Sequence, residues 1–160
     1  MTMSVLKTLV FTILVPGTVT VVIPRYLLAV GAEAAIPFGL IGALPIALGA
    51  ACYLWCAWDF ASAGRGTPAP IDPPKVLVTR GLYRVVRNPM YVGAVLILLG
   101  ESVLFASATL LTYALLAWVV VHLFVVFYEE PTLHRKFGIS YENYRKAVPR
   151  WIPRHKLLPI

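Results

Sequence analysis

Residues 88–128 read NPMYVGAVLILLGESVLFASATLLTYALLAWVVVHLFVVFY and carry one formal charge, Glu101. As an α-helix rising about 1.5 Å per residue, this stretch is about 60 Å long. The hydrocarbon core of a bilayer is about 30 Å thick. The stretch is thus twice what one crossing needs, and it has to reverse near its middle. The small and polar residues that allow a reversal lie at 101–109, ESVLFASAT. This pattern predicts a helical hairpin with arms 89–104 and 109–128.

Two further uncharged stretches lie upstream. One runs from Thr8 to Pro24, between Lys7 and Arg25, whose aliphatic stems let their charges reach the headgroups. Pro16, Gly17 and Pro24 fall within it, as is common in membrane helices. The other runs from Ala34 to Trp58. The expected fold is therefore all-α: a polytopic membrane protein, one domain over 1–160, with about four transmembrane helices at 6–24, 36–58, 89–104 and 109–128. The last two form the hairpin, and short amphipathic helices follow in the cytoplasm. The competing count is three spans after removal of a signal peptide, on a weak A-x-A-like site near Val30–Ala34.

Composition agrees. The chain is 59% apolar and 13% charged, with a mean hydropathy of +0.80, whereas soluble domains are about a quarter charged. Disorder is excluded. A nucleic-acid partner is disfavoured despite the net charge of +7. With four spans, 13 of the 14 Lys and Arg residues fall on the face that holds both termini, and only Arg25 lies opposite. The positive-inside rule puts that face in the cytoplasm. The basic excess thus reports orientation first, with membrane lipid headgroups as natural contacts.

Between the second and third spans, Asp59–Lys75 (DFASAGRGTPAPIDPPK) carries four prolines and two glycines and reads as an irregular loop. Beyond the last span the helix is expected to continue through Glu129, Glu130 and Leu133 and to stop at Gly138. A short helix at about 141–147 follows and is ended by Pro149.

Few residues can carry chemistry. Cys52 and Cys56 lie one helical turn apart with no ligand set of zinc-like spacing, so packing accounts for them and no metal site is expected. HExxH, GxGxxG and Walker patterns are absent. His122 is an ionisable group at membrane depth and therefore a functional candidate. Glu129 and Glu130 point about 100° apart on a helix, so only one can face a given pocket. Pairing with Arg84 or Arg87 is the structural alternative for them. Residues 79–91, TRGLYRVVRNPMY, place Tyr83, Arg84, Arg87 and Tyr91 around Asn88, a natural N-cap, and Pro89, suited to a first helical turn. Aromatic faces take cations and a helix N-terminus takes anions. A zwitterionic cofactor with a sulfonium centre suits such a site.

These residues resemble a known family. Lys75–Gly93, KVLVTRGLYRVVRNPMYVG, is similar to the "h-x-LV-x-x-G-x-Y-x-x-x-RHP-x-Y-x-G" stretch of the isoprenylcysteine carboxyl methyltransferase and phospholipid N-methyltransferase superfamily. After the hairpin come Tyr128–Glu129–Glu130, Phe137–Gly138, the Y-x-x-Y of Tyr141 and Tyr144, and VPRWIP at 148–153. The resemblance covers about Lys75–Pro153. It implies S-adenosylmethionine held at the cytoplasmic end of the last two spans, by segments 75–91 and 129–153. Carried over by position, the cofactor contacts are Lys75, Val76, Leu77, Val78, Tyr83, Asn88, Pro89, Met90, Tyr91 and Glu129, with Glu130 beside them. Asn88 stands where the family has His, and it cannot titrate near neutral pH. Val125 stands where the eukaryotic prenylcysteine enzymes have a substrate-contacting Arg.

The implied function is methyl transfer to a lipid-like or prenylated acceptor arriving from the bilayer. Because the donor carries a good leaving group, positioning dominates the chemistry. Glu129, Arg87 and His122 are the candidate catalytic residues: a base for an amine acceptor, or a cation for a phosphate or carboxylate. The alternatives are a phosphatidylethanolamine-type N-methyltransferase and a non-catalytic lipid-binding module. A nicotinamide-dependent membrane reductase would ask for a larger site and more spans. No protein partner is indicated.

Overall fold

A computed structural model describes residues 9–31, 40–60, 62 and 76–153. Among these the regular structure is helical, with no strand. Five helices organise it: α1 (Leu9–Val30), α2 (Ala43–Asp59), α3 (Pro89–Leu104), α4 (Ala108–Phe137) and α5 (Ile139–Ala147). Helices α1 and α4 are long and apolar enough to cross a membrane, whereas α2 and α3 are apolar but shorter. Residues 6–8 and 36–39 of the expected spans lie outside the described residues.

The first helix runs past its expected end. Pro24 and Arg25 do not close it, and it continues to Val30. The reason is a π turn at Thr18–Val22, after which the Ile23 N–H reaches back to the Thr18 carbonyl. A proline in an α-helix has no N–H to give, and its ring collides with the carbonyl four residues back. Widening the preceding turn relieves that collision. Without a donor from Pro24, the Val19 carbonyl accepts instead from the Tyr113 hydroxyl of α4 at 2.9 Å.

The same device recurs in α4. A π turn at Val125–Glu129 passes the Glu130 N–H to the Val125 carbonyl, and Pro131 follows. In both helices the proline stands two residues after the π turn ends.

Helices α2 and α3 meet backbone to backbone. A Cβ on Gly49 would stand 2.5 Å from the Gly93 carbonyl oxygen, and one on Gly93 would stand 2.7 Å from the Gly49 carbonyl oxygen. Gly42 and Gly100 repeat the close approach further along. Small residues permit this contact, which is a typical means of helix association in lipid.

Helix α3 ends at Leu104 and α4 begins at Ala108, within the expected reversal at 101–109. The Ser107 side chain caps α4 by accepting from the Leu110 N–H at 3.1 Å. Before α3, residues 76–80 form no regular element and 81–84 form a 3-10 turn. Past Gly138 (φ +53), α5 folds back against this segment. Tyr141, Tyr144 and Val148 pack with Leu77, Leu133 and Phe137. The Tyr144 hydroxyl donates to the Tyr83 carbonyl at 2.7 Å, and the Arg87 N–H to the Pro149 carbonyl at 2.8 Å.

Candidate functional site

Where α3 begins, the helices line a cavity that has both polar and apolar walls. Tyr83, Arg87, Asn88, Tyr91 and Glu129 give it polar groups. Phe11, Val15, Pro16 and Val19 of α1, with Ala94 and Val121, give it an apolar arm. Tyr53, Phe60 and Met90 also line it. Phe60 meets the Tyr83 ring edge-on, with centroids 5.5 Å apart.

Glu129 and Glu130 part company. Glu129 lines the cavity and accepts from the Tyr91 hydroxyl at 2.8 Å. Glu130 is buried among cations. It accepts from Arg150 through both carboxylate oxygens, at 2.6 and 2.9 Å, and pairs with Arg87 at 3.1 Å. The Glu130 bond raises the pKa of Arg150 above its ordinary value. Arg87 also donates to the Tyr141 hydroxyl at 3.3 Å, while its Nε is buried without a partner. Burial pushes the Tyr83 and Tyr144 phenols upward, so both remain neutral donors.

Of the residues singled out by sequence, Tyr83, Arg87, Asn88, Met90, Tyr91 and Glu129 converge on this cavity. Pro89 is fully buried behind it. Val78 packs in the core with Tyr53, Cys56 and Met90, Val76 is exposed and Leu77 belongs to the α5 cluster. Lys75 lies outside the described residues. His122 sits beside Val121 but turns elsewhere: its Nδ1 accepts from Trp151 Nε1 at 3.0 Å, and its ring stacks on Trp118. Asn88 occupies the N-cap position without capping, because its side-chain amide donates to the Arg150 carbonyl at 3.3 Å. The expected capping bond is replaced by a tertiary one. Cys52 donates its thiol to the Pro89 carbonyl and Cys56 is buried, in keeping with packing roles. Among the described residues no His, Cys, Asp or Glu cluster could hold a metal.

The cavity residues that sequence reasoning missed are Tyr53 and Phe60, Ala94 on α3, Val121 on α4 and the four apolar residues on α1. Nothing local marks Val15, Val19 or Val121 among so many apolar neighbours. The one signal in the sequence was the pair of prolines in α1.

In composition the cavity suits a ligand with a polar head and an apolar body. The chain is 40% identical over 79 residues to a protein-S-isoprenylcysteine O-methyltransferase of Schizosaccharomyces pombe, a match covering 49% of this chain and 33% of that protein. It is 34% identical over 73 residues to methanethiol S-methyltransferase 2 of Bradyrhizobium diazoefficiens, covering 46% and 27%. It is 31% identical over 80 residues to protein-S-isoprenylcysteine O-methyltransferase A of Arabidopsis thaliana, covering 48% and 39%. The matches thus span less than half the length of each relative. No solved structure matches. The profile of the phospholipid methyltransferase family matches residues 38–140, from before α2 to the start of α5, and the chain belongs to that family.

Proposed function

We propose that this protein is a membrane methyltransferase that uses S-adenosylmethionine to methylate a lipid-like or prenylated acceptor. The observation that carries the proposal is the Glu129 carboxylate, held by Tyr91 on the wall of a cavity otherwise lined largely by apolar residues. In the proposed topology all four apolar helices span the bilayer, α3 and α4 form a hairpin, and both termini and the site face the cytoplasm. The positive-inside rule supports that orientation.

The residues present fit the cofactor. Glu129 offers a carboxylate to hydroxyl or ammonium groups, and Tyr53, Phe60, Tyr83 and Met90 offer apolar and aromatic walls. Arg87 and Asn88 border the same space. When bound, the cofactor supplies a methyl group on a sulfonium, which the acceptor's lone pair takes as the carbon–sulfur bond breaks. The chain's part is to hold the donor end rigid and to keep water out, which is how positioning lowers such a barrier. Tyr91 fixes the Glu129 carboxylate, and the α1 residues shield the acceptor's apolar body.

The acceptor side disfavours a carboxylate. Val125, where some relatives have Arg, is fully buried, and the charge of Arg87 is engaged by Glu130. A neutral thiol or an amine fits this arm better. One of the three relatives is named a methanethiol S-methyltransferase, in line with that choice, whereas the other two are named O-methyltransferases. The second reading, N-methylation of a phospholipid amine, rests on Glu129 as the only carboxylate among the described residues lining the cavity and hence as the available base.

The test is calorimetric titration of the detergent-solubilised protein with S-adenosylhomocysteine, then incubation with methyl-labelled cofactor and total membrane lipid. Binding that Glu129→Ala weakens, and a labelled lipid-soluble product identified by mass, are expected. A folded protein that binds neither cofactor nor product would instead be a lipid-binding module.

A further inference from the structure

The two glutamates differ in fate because of one turn. Val121 lines the cavity, and Glu129 stands eight residues further along the same helix. In a regular α-helix eight residues overshoot two full turns by about 80°, and the residue aligned with Val121 would be Tyr128. A π turn accommodates one extra residue. With it, Glu129 falls within about 20° of Val121 and faces the cavity. Tyr128 is turned outward and exposed. The adjacent Glu130 then points at Arg87 and Arg150.

The geometry points to Pro131 as a positioning residue: we propose that it holds α4 in the π turn Val125–Glu129 and thereby aims Glu129, rather than Tyr128, into the cavity. A proline at 131 cannot give an N–H to the Phe127 carbonyl, and its ring would press on that carbonyl in a regular turn. The open turn relieves the contact, and the Glu130 N–H passes to the Val125 carbonyl. The same sequence offset between proline and π turn in α1, where Val19 also lines the cavity, is an independent instance of the device. The consequence for binding rests on the proposed cofactor reading; the shape of the turn does not.

Two variants and a ligand-free measurement test this. Pro131→Ala lets α4 close into a regular helix. It is expected to weaken S-adenosylhomocysteine binding about tenfold, the scale of one lost charged hydrogen bond. Its melting midpoint should stay level or rise, because alanine is the better helix former. Deleting Phe127, whose side chain is 75% exposed, together with Pro131→Ala removes the extra residue. Glu129 then sits seven residues after Val121 in a regular helix, so the double variant is expected to recover affinity. A purely structural role for Pro131 predicts no recovery. Without ligand, hydrogen exchange at the amides of 127–130 should slow in Pro131→Ala. Unchanged affinity in Pro131→Ala, failure of the deletion to restore it, or unchanged exchange would each overturn the assignment. If the unmutated protein binds no S-adenosylhomocysteine, the cofactor reading fails, and the exchange measurement alone decides the role of Pro131.

Discussion

Tyr91 on α3 and Glu129 on α4 are joined across the helix interface by a 2.8 Å hydrogen bond that the tyrosine donates. It ties the two motif segments together at the cavity wall through side chains that both line it. It fixes a carboxylate that would otherwise have rotamer freedom, and it leaves that carboxylate further lone pairs for a ligand.

Removing the bond should therefore act on binding through the carboxylate. Tyr91→Phe is expected to weaken S-adenosylhomocysteine affinity about tenfold, the scale of a hydrogen bond to a charged group. Glu129→Ala should weaken it further. The double variant should bind no worse than Glu129→Ala, because the tyrosine acts through the glutamate. Titration calorimetry on the four proteins measures the coupling.

Glu130 has a different task. It neutralises Arg87 and Arg150 at once, and the Arg87 and Glu130 side chains are each only 9% exposed. Glu130→Ala strands a buried cation and should cost about 3–5 kcal/mol. Arg150→Ala should cost less, since Arg150 is a third exposed and Arg87 remains paired. Thermal melts in one detergent rank the variants.

The α2–α3 contact leaves no room for a methyl group. Gly93→Ala would place Cβ 2.7 Å from the Gly49 carbonyl oxygen and 3.0 Å from the Tyr53 nitrogen. Both neighbours are backbone atoms, so the helices must separate. A loss of about 1–3 kcal/mol is expected, read as a lower melting midpoint and a smaller monodisperse fraction on size exclusion.

Alkaline pH should loosen the α5 cluster. Burial raises the pKa of Tyr144 above the ordinary value of 10.0, and burial also raises that of Tyr141. A phenol whose folded pKa is raised contributes stability that is fully present below pH 10 and is lost as pH rises through the folded value. Melting midpoints should hold to about pH 10 and fall beyond it. Tyr144→Phe removes one such group and its bond to the Tyr83 carbonyl. It should start lower by about 1 kcal/mol and fall less steeply.

Much of the helix plan was legible. A 41-residue stretch with one charge was expected to reverse, and its helix breaks at 105–107, within the nine residues singled out. Gly138 with its positive φ ends α4, and the helix after it was expected. The inequality of Glu129 and Glu130 followed from helix geometry, but the choice between them did not. Helix α1 runs on to Val30, past the bound that the charge of Arg25 had set for the apolar stretch, because a widened turn carries the helix past Pro24.

The sequence by itself determined an apolar helical chain, the place where its longest uncharged stretch breaks and the family it resembles. Hydrophobicity, charge and turn residues act locally, and each can be read where it stands. Only the tertiary structure decided which glutamate faces the cavity, that Asn88 bonds the Arg150 carbonyl, that Trp151 takes His122, and that α1 supplies the apolar arm. These depend on the rotation of one helix against another. A single extra residue in a turn shifts that rotation by about 100°, and no property of the residue itself records the shift.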